Sequence, residues 1–483
     1  MFLRQIIGYA PSLLIPALVA FGTVFSFTRL LTPTEYGHYT LAVNTMALLG
    51  MVFFYWLHIS LPRLMPEAIR KRRDAQLRAT TYVLFGVSAL VLLTATGFFL
   101  GFVPLGDLFL VAWLAVPLAL ARSLLSLNEA VHRSLMDYKR YNFIECGQSI
   151  LGFGIGLALV YFLDLGSLGA VLGLIIGMVI MALADLRVLR SMSWKDFDRG
   201  VLKNIIHFGA PLVFSYGLAF IIAISDRYII EHYQGAEHVG IYAAGYILMD
   251  RISSILFLLI ATPSYPLTMH KLEHEGIKAA RDQTYKNGVA ILMLTLPACA
   301  GLILVNRELA AVLIGDEFME GALQVMPWIA VASLFNGLST HYFDHAFHMA
   351  KKSTWMLYTQ GPAALCNLIL NFILIPRIGY MGAAYSTVIS YALLLVLSIV
   401  VGRRAFAVRF PVKPALQIMA SVVVMSFVVL VLPFPGGMTG LVGKVAVGLL
   451  AYGAAAYIFR VPYKILADMK PVTVQDQPEP LAP

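Results

Sequence analysis

About 14 stretches of this chain are each long and apolar enough to cross a lipid bilayer, and that constraint excludes most folds before any motif is read. A spanning helix needs about 20 mostly apolar residues. Residues 82–102, 165–184, 383–401 and 415–434 contain no Asp, Glu, Lys or Arg. The spans read as 8–30, 39–61, 80–102, 106–126, 143–163, 168–186, 205–229, 239–262, 286–305, 322–345, 356–375, 381–402, 416–433 and 440–459. In hydrocarbon every backbone polar group must be paired within the protein, so such spans are helices. The expected fold class is an all-α polytopic membrane protein. A soluble chain of 483 residues with 59% hydrophobic composition could not hide that much apolar surface. The apolar run from Ile6 is too long for a cleavable signal, and no A-x-A-like site follows it.

Lys and Arg set the orientation. The loops after even-numbered spans carry clusters such as Arg63, Arg70, Lys71, Arg72, Arg73 and Arg78, or Arg403, Arg404, Arg409 and Lys413. The opposite side carries only Arg29, Arg227, Arg307 and Arg377. Both termini are therefore expected in the cytoplasm of a bacterial cell, with the chain in the inner membrane. The net charge of +9 follows from this asymmetry. It is spread thinly over many loops and does not make a nucleic-acid footprint. Cys146, Cys299 and Cys366 are too widely spaced for a metal pattern or a disulfide framework. No G-x-x-x-x-G-K-[ST] occurs, and no loop is long enough for a nucleotide-binding domain. No catalytic constellation and no cofactor motif is present, so a transporter is expected rather than an enzyme.

The chain repeats itself. Ile6-Ile7-Gly8-Tyr9-Ala10-Pro11 opens the first span, and Ile205-Ile206-His207-Phe208-Gly209-Ala210-Pro211 opens the seventh. Glu35-Tyr36-Gly37-His38-Tyr39 follows the first, and Val239-Gly240-Ile241-Tyr242 follows the seventh. The turn Gly166-Ser167-Leu168-Gly169-Ala170 matches Gly379-Tyr380-Met381-Gly382-Ala383. Glycine there permits positive φ and a sharp reversal. The expected division is an N-terminal lobe over 1–200 (helices 1–6), a C-terminal lobe over 201–412 (helices 7–12), two extra helices over 413–462, and a disordered cytoplasmic tail over 463–483. An even number of spans per copy makes the copies parallel, with a pseudo-two-fold axis along the membrane normal.

Three segments carry a family resemblance. They are Ser26-Phe27-Thr28-Arg29-Leu30-Leu31-Thr32-Pro33-Thr34-Glu35-Tyr36-Gly37-His38-Tyr39, then Asp226-Arg227-Tyr228-Ile229-Ile230 followed by Val239-Gly240-Ile241-Tyr242-Ala243, and the turn Ile375-Pro376-Arg377-Ile378-Gly379-Tyr380-Met381-Gly382-Ala383-Ala384. They resemble the polysaccharide-transport group, the Wzx-type flippases, of the multidrug/oligosaccharidyl-lipid/polysaccharide exporter superfamily. The resemblance implies two six-helix lobes around a central cavity. It implies a lipid-pyrophosphate-linked oligosaccharide as cargo, usually on undecaprenol, moved to the outer leaflet by alternating access. It also implies drive by an ion gradient (H+ or Na+) or the membrane potential, and polysaccharide assembly proteins as partners. The rival readings are a MATE-like cation-coupled drug or small-molecule antiporter and a membrane-embedded glycan polymerase or ligase. The two extra spans argue against the first, and the short outer loops against the second.

Ionisable residues inside spans are functional candidates because charge is expensive in hydrocarbon. Arg251 lies about 12 residues into the eighth span, roughly 18 Å at 1.5 Å per residue. Its forked donors suit a pyrophosphate, and the alternative is a structural ion pair between helices. The adjacent Asp250 points about 100° away. Arg29, Asp226 and Arg227 end the first helix of each repeat. They read as an outer gate or an ion-coupling group, or as interfacial capping residues. Lys444 is expected to snorkel. His341, His345 and His348 share a helical face at metal-like spacing, but no carboxylate from elsewhere in the chain can be named as a partner, so they read as polar interface residues before a proton-responsive cluster or a metal site. Asn44, Gln148, Asn336, Gln360, Asn367 and Asn371 either line a cavity or bridge helices.

Overall fold

The computed structural model describes residues 2–102, 108–186, 188 and 196–463. Among them are seventeen α-helices and no strand, as the hydropathy requires. The cations at 187, 190, 195, 464 and 470, and the expected tail past Tyr463, lie outside the described residues. Contacts divide the chain into two compact units, one of residues 1–231 with 235–240 and one of residues 232–234 with 241–483.

The first unit holds α1 (Phe2–Leu30), α2 (Pro33–Phe53), α3 (Tyr55–Arg70), α4 (Asp74–Phe102), α5 (Leu108–Ser134), α6 (Tyr138–Leu163), α7 (Gly166–Ala184) and most of α8 (Arg199–Gln234). The start of α2 explains much of the Thr32–Gly37 motif. Thr32 and Glu35 form a reciprocal capping box, and Pro33 occupies the first helical turn. Gly37 is needed for a different reason. A Cβ there would run into the Ala236 carbonyl, and a Cβ at Gly240 would run into that of Pro33. The repeat-related glycines thus let two helix starts touch backbone to backbone. Between α6 and α7 the chain turns through Asp164 (φ 50°) and Gly166 (φ 52°). The two helices then pack closely, because a Cβ at Gly177 would stand 2.5 Å from the Gly152 nitrogen. Such small-residue contacts are a common way for membrane helices to associate.

The second unit holds the remainder of α9 (Ala236–His274), then α10 (Ile277–Leu304), α11 (Asn306–Leu313), α12 (Asp316–Leu338), α13 (His345–Met349), α14 (Leu357–Ile378), α15 (Tyr380–Ala405), α16 (Val412–Val431) and α17 (Gly437–Ile458). A π-helical turn, Ser339–Phe343, links α12 to α13. Gly379 (φ 67°) turns the chain between α14 and α15, as its counterpart Gly166 does between α6 and α7. The added pair α16 and α17 is part of the core. Ile418, Val422 and Met425 pack with Ile291, Leu292 and Tyr342, and Tyr452 donates its hydroxyl to the Met293 carbonyl at 3.0 Å.

Twelve of these helices are long and apolar enough to span a membrane. The expected span 39–61 is not one straight helix. It breaks at Phe54 into α2 and α3, whose axes differ by 55°, and the fully buried Phe54 ring forms core with Leu57, Leu61 and Met65. Counted as one, the bent pair makes a thirteenth span. The expected span 205–229 falls within α8, whose side chains at 211, 212, 214 and 215 are outside the description. Large apolar side chains such as Leu18, Phe162, Leu430 and Leu450 stand out from the bundle. Helices that present such faces along their length need hydrocarbon around them. Most of α8 belongs to the first compact unit: Ser60 donates to the Ile205 carbonyl, and Thr45 bonds the Tyr228 hydroxyl at 2.9 Å.

Candidate functional site: charged groups inside the spans

Arg122 and Glu129 lie two turns apart on α5, and Glu145 and Gln148 one turn apart on α6. The helix spacings i, i+7 and i, i+3 bring all four to one seam. The Arg122 guanidinium donates to Glu129 Oε1 at 3.2 Å and approaches Glu145 Oε2 at 3.5 Å. Gln148 Nε2 donates to the same two oxygens at 3.1 and 2.6 Å. Glu129 is almost fully buried. Isolated, any of these charges would be prohibitive in hydrocarbon; clustered, they partly neutralise one another.

Arg122 also lines a cavity of about 490 Å³ in the first unit, with Ser123, Ser126, Tyr55, His58 and Tyr216. The imidazole of His58 donates through Nε2 to the Ser123 carbonyl at 3.1 Å, and Tyr55 and Tyr216 meet edge to face at 5.3 Å. The lining therefore joins one cation and a few polar groups to aromatic and aliphatic side chains such as Phe220, Met46 and Met51. The expected span 106–126 sets Arg122 near a helix end. The residue lies well inside the apolar helix segment Val111–Ser134.

At the Lys/Arg-rich end of the same unit a second network closes over Asp185. This carboxylate is fully buried and accepts from His132 Nε2 (2.9 Å), Arg140 Nε (2.9 Å) and Asn128 Nδ2 (3.1 Å). Asn128 in turn accepts from the Tyr82 hydroxyl at 2.5 Å. Four segments, α4, α5, α6 and the end of α7, are tied through one anion. Burial pushes the Asp185 carboxyl up, but hydrogen bonds from His132 and Arg140 outweigh it and hold the carboxyl below the usual aspartate range.

The sequence candidates fall into three places. Asp226 and Arg227 are both buried and pair with each other at 2.7 Å on α8, and Arg227 also donates to the Ala223 carbonyl. Arg29 is exposed at the end of α1, bonded to the Phe25 carbonyl at 2.8 Å and stacked 4.0 Å over the Phe25 ring. All three belong to the first unit. Asp250 and Arg251 are on α9 in the second unit. Asp250 accepts from Ser333 at 3.4 Å. Arg251 is exposed and has no hydrogen bond or ion pair with any described residue.

Lys444 does not simply snorkel: it binds Glu308 of α11 at 2.7 Å. His341 stacks on Phe257 at 5.6 Å, and His345 and His348 pack on Tyr265. Among the described residues no three His, Cys, Asp or Glu side chains converge as a metal site. Between His341 and His345 lies Asp344, fully buried, whose Oδ1 accepts from Ser398 at 2.8 Å while Oδ2 has no partner. Asn367, Asn371 and Ser386 form a fully buried bridge between α14 and α15. The three cysteines are free.

Long apolar helices in two compact units, with ionic clusters inside the spans, define an all-helical multi-pass membrane protein. Residues 2–271 match the family described as "Polysaccharide biosynthesis protein", and the chain belongs to that family. This bears out the resemblance carried by the Ser26–Tyr39 and Asp226–Ile230 segments. The chain is 24% identical over 400 residues to the "Putative O-antigen transporter" of Shigella flexneri, an alignment covering 79% of this chain and 92% of the relative. Its fold is similar to that of a solved structure described as the lipid II flippase MurJ in an inward closed conformation, with a TM-score of 0.79 at 15% identity over 95% of this chain and 100% of the other. It is also similar to an inward-facing multidrug transporter of the MATE family, with a TM-score of 0.64 at 15% identity over 81% of this chain and 94% of the other.

Proposed function

We propose that this protein is a bacterial inner-membrane flippase that moves a lipid-pyrophosphate-linked oligosaccharide, a polysaccharide repeat unit, to the outer leaflet by alternating access. Undecaprenol is the expected lipid, and an ion gradient or the membrane potential the expected drive. Family membership and the long alignment with a relative named as an O-antigen transporter support the substrate class. The likeness to the lipid II flippase also covers more of this chain than that to the multidrug transporter, which favours a flippase over a small-molecule antiporter.

The observation that carries the reading is Arg251. It is an exposed cation without a described partner, 15 residues into the 39-residue helix α9. A structural ion pair would hold a partner; a substrate contact waits for one. We assign Arg251 to the pyrophosphate, with Asp250 held aside by Ser333. We assign Arg29, Asp226 and Arg227 to closure on the outer side, although only Arg29 ends its helix: the Asp226–Arg227 pair lies two turns before the end of α8.

Arg251→Ala is expected to abolish glycan export while the protein still reaches the membrane at the wild-type level. Arg251→Lys restores only part, because an ammonium keeps the charge and loses the bidentate fork. Normal export by Arg251→Met would overturn the pyrophosphate role.

A further inference from the structure

We propose that Glu129 and Glu145 hold one exchangeable proton between them against Arg122, and that a proton gradient acts on the first unit at this place. The coupling half rests on the reading of the chain as a transporter; the proton itself does not.

The geometry sets two anions against one cation. Glu129 Oε1 and Glu145 Oε2 converge on the same two donors, the Arg122 guanidinium and Gln148 Nε2. Carboxylates that share a site cannot both stay ionised cheaply, and one takes a proton. Burial between α5 and α6 sharpens the preference.

Gln148 supplies the second observation. It is 5% exposed, and its Oε1 has no partner although its Nε2 has two. A half-turn of the amide makes that oxygen an acceptor for a carboxyl O–H, while the NH2 end serves a carboxylate. The residue is therefore suited to both states of a proton that comes and goes. Loading moves a proton from hydronium in the cavity water to a carboxylate oxygen, leaving water and one neutral carboxyl. Release reverses the step, and only O–H bonds change. The way in is through the cavity of about 490 Å³ that Arg122 lines with Ser123, Ser126 and His58.

Other ionisable groups bear on the pair from each packed element. Arg133 follows Glu129 by one turn of α5 and is exposed. Tyr141 of α6 lies near both carboxyls and meets Tyr9 of α1 edge-on at 5.4 Å. His58 of α3 faces Arg122, and α8 brings Tyr216 to the cavity. Tyr82 of α4 is engaged by Asn128. No residue of α7, and none of α2 after Tyr39, is ionisable.

The test is infrared difference spectroscopy of the full chain in lipid nanodiscs across pH steps, reading the C=O band of protonated carboxyls. Wild type should show a titrating band. Glu129→Gln and Glu145→Gln should each lose it, because Arg122 then neutralises the remaining carboxylate alone. Arg122→Gln should keep the band to higher pH. A wild type without the band, or the band at an unchanged midpoint in both glutamate variants and in Arg122→Gln, overturns the proton site. In cells, Glu129→Gln at wild-type membrane level should lose glycan export; unimpaired export in both glutamate variants overturns the coupling. A wild type that titrates as described but moves no lipid-linked glycan contradicts the proposed cargo and leaves the proton site standing.

Discussion

Asp185 shows how one residue can hold a helical unit together at the membrane edge. Its side chain is fully buried, and three donors from two helices satisfy it. Removing the anion as Asp185→Ala leaves Arg140 and His132 without their partner, at a cost of about 3–5 kcal/mol for a broken buried pair. A fall in thermal midpoint of the purified protein checks this, and Asp185→Asn, which keeps one acceptor, should fall less. The pH dependence has a definite sign. The folded carboxyl titrates below the usual aspartate range, so its stabilisation is present above that range and is lost as pH falls through the folded value. Acid should therefore destabilise wild type more than Asp185→Asn, and a pair of parallel curves would contradict the assignment. None of this is readable along the chain: Asp185 stands at the end of a charge-free helix, and its partners lie 45 to 57 residues earlier.

At the scale of elements, the most restrictive contact is that between the starts of α2 and α9. Gly37 faces the Ala236 carbonyl and Gly240 faces that of Pro33. Valine at either position drives carbon into backbone, and overpacking of this kind costs about 1–3 kcal/mol. The two substitutions oppose one another across a single contact, so their combined cost should be less than additive; thermal midpoints of the singles and the double check this. These glycines and the turns at Gly166 and Gly379 are legible in the sequence because each is a local backbone requirement that repeats. The break at Phe54 is not legible, since 46–57 stays apolar straight through it. Nor is the ionic seam of Arg122, Glu129, Glu145 and Gln148. An arginine seven residues before a glutamate inside apolar sequence is a signal, but α6 supplies half the cluster and only packing shows the register.

The whole molecule is governed by its charge asymmetry and its repeat. Reporter fusions after Arg73 and Arg404 are expected to read as cytoplasmic, and fusions at Glu237 and Gly437 as external; a reversed pattern would overturn the assigned orientation. The two extra helices α16 and α17 belong to the second unit's core and are tied to α11 by Lys444 and Glu308, so deleting 413–463 should cost stability as well as length. The central claim is movement of a lipid-linked glycan between leaflets. It is tested most directly with purified protein in liposomes that carry a tagged polyprenyl-pyrophosphate oligosaccharide, by following the fraction that a membrane-impermeant glycosidase can reach. The account predicts that the accessible fraction rises above that of protein-free liposomes with wild type and stays at that baseline with Arg251→Ala. Folded wild-type protein that leaves the fraction unchanged, with and without a proton gradient, would contradict it.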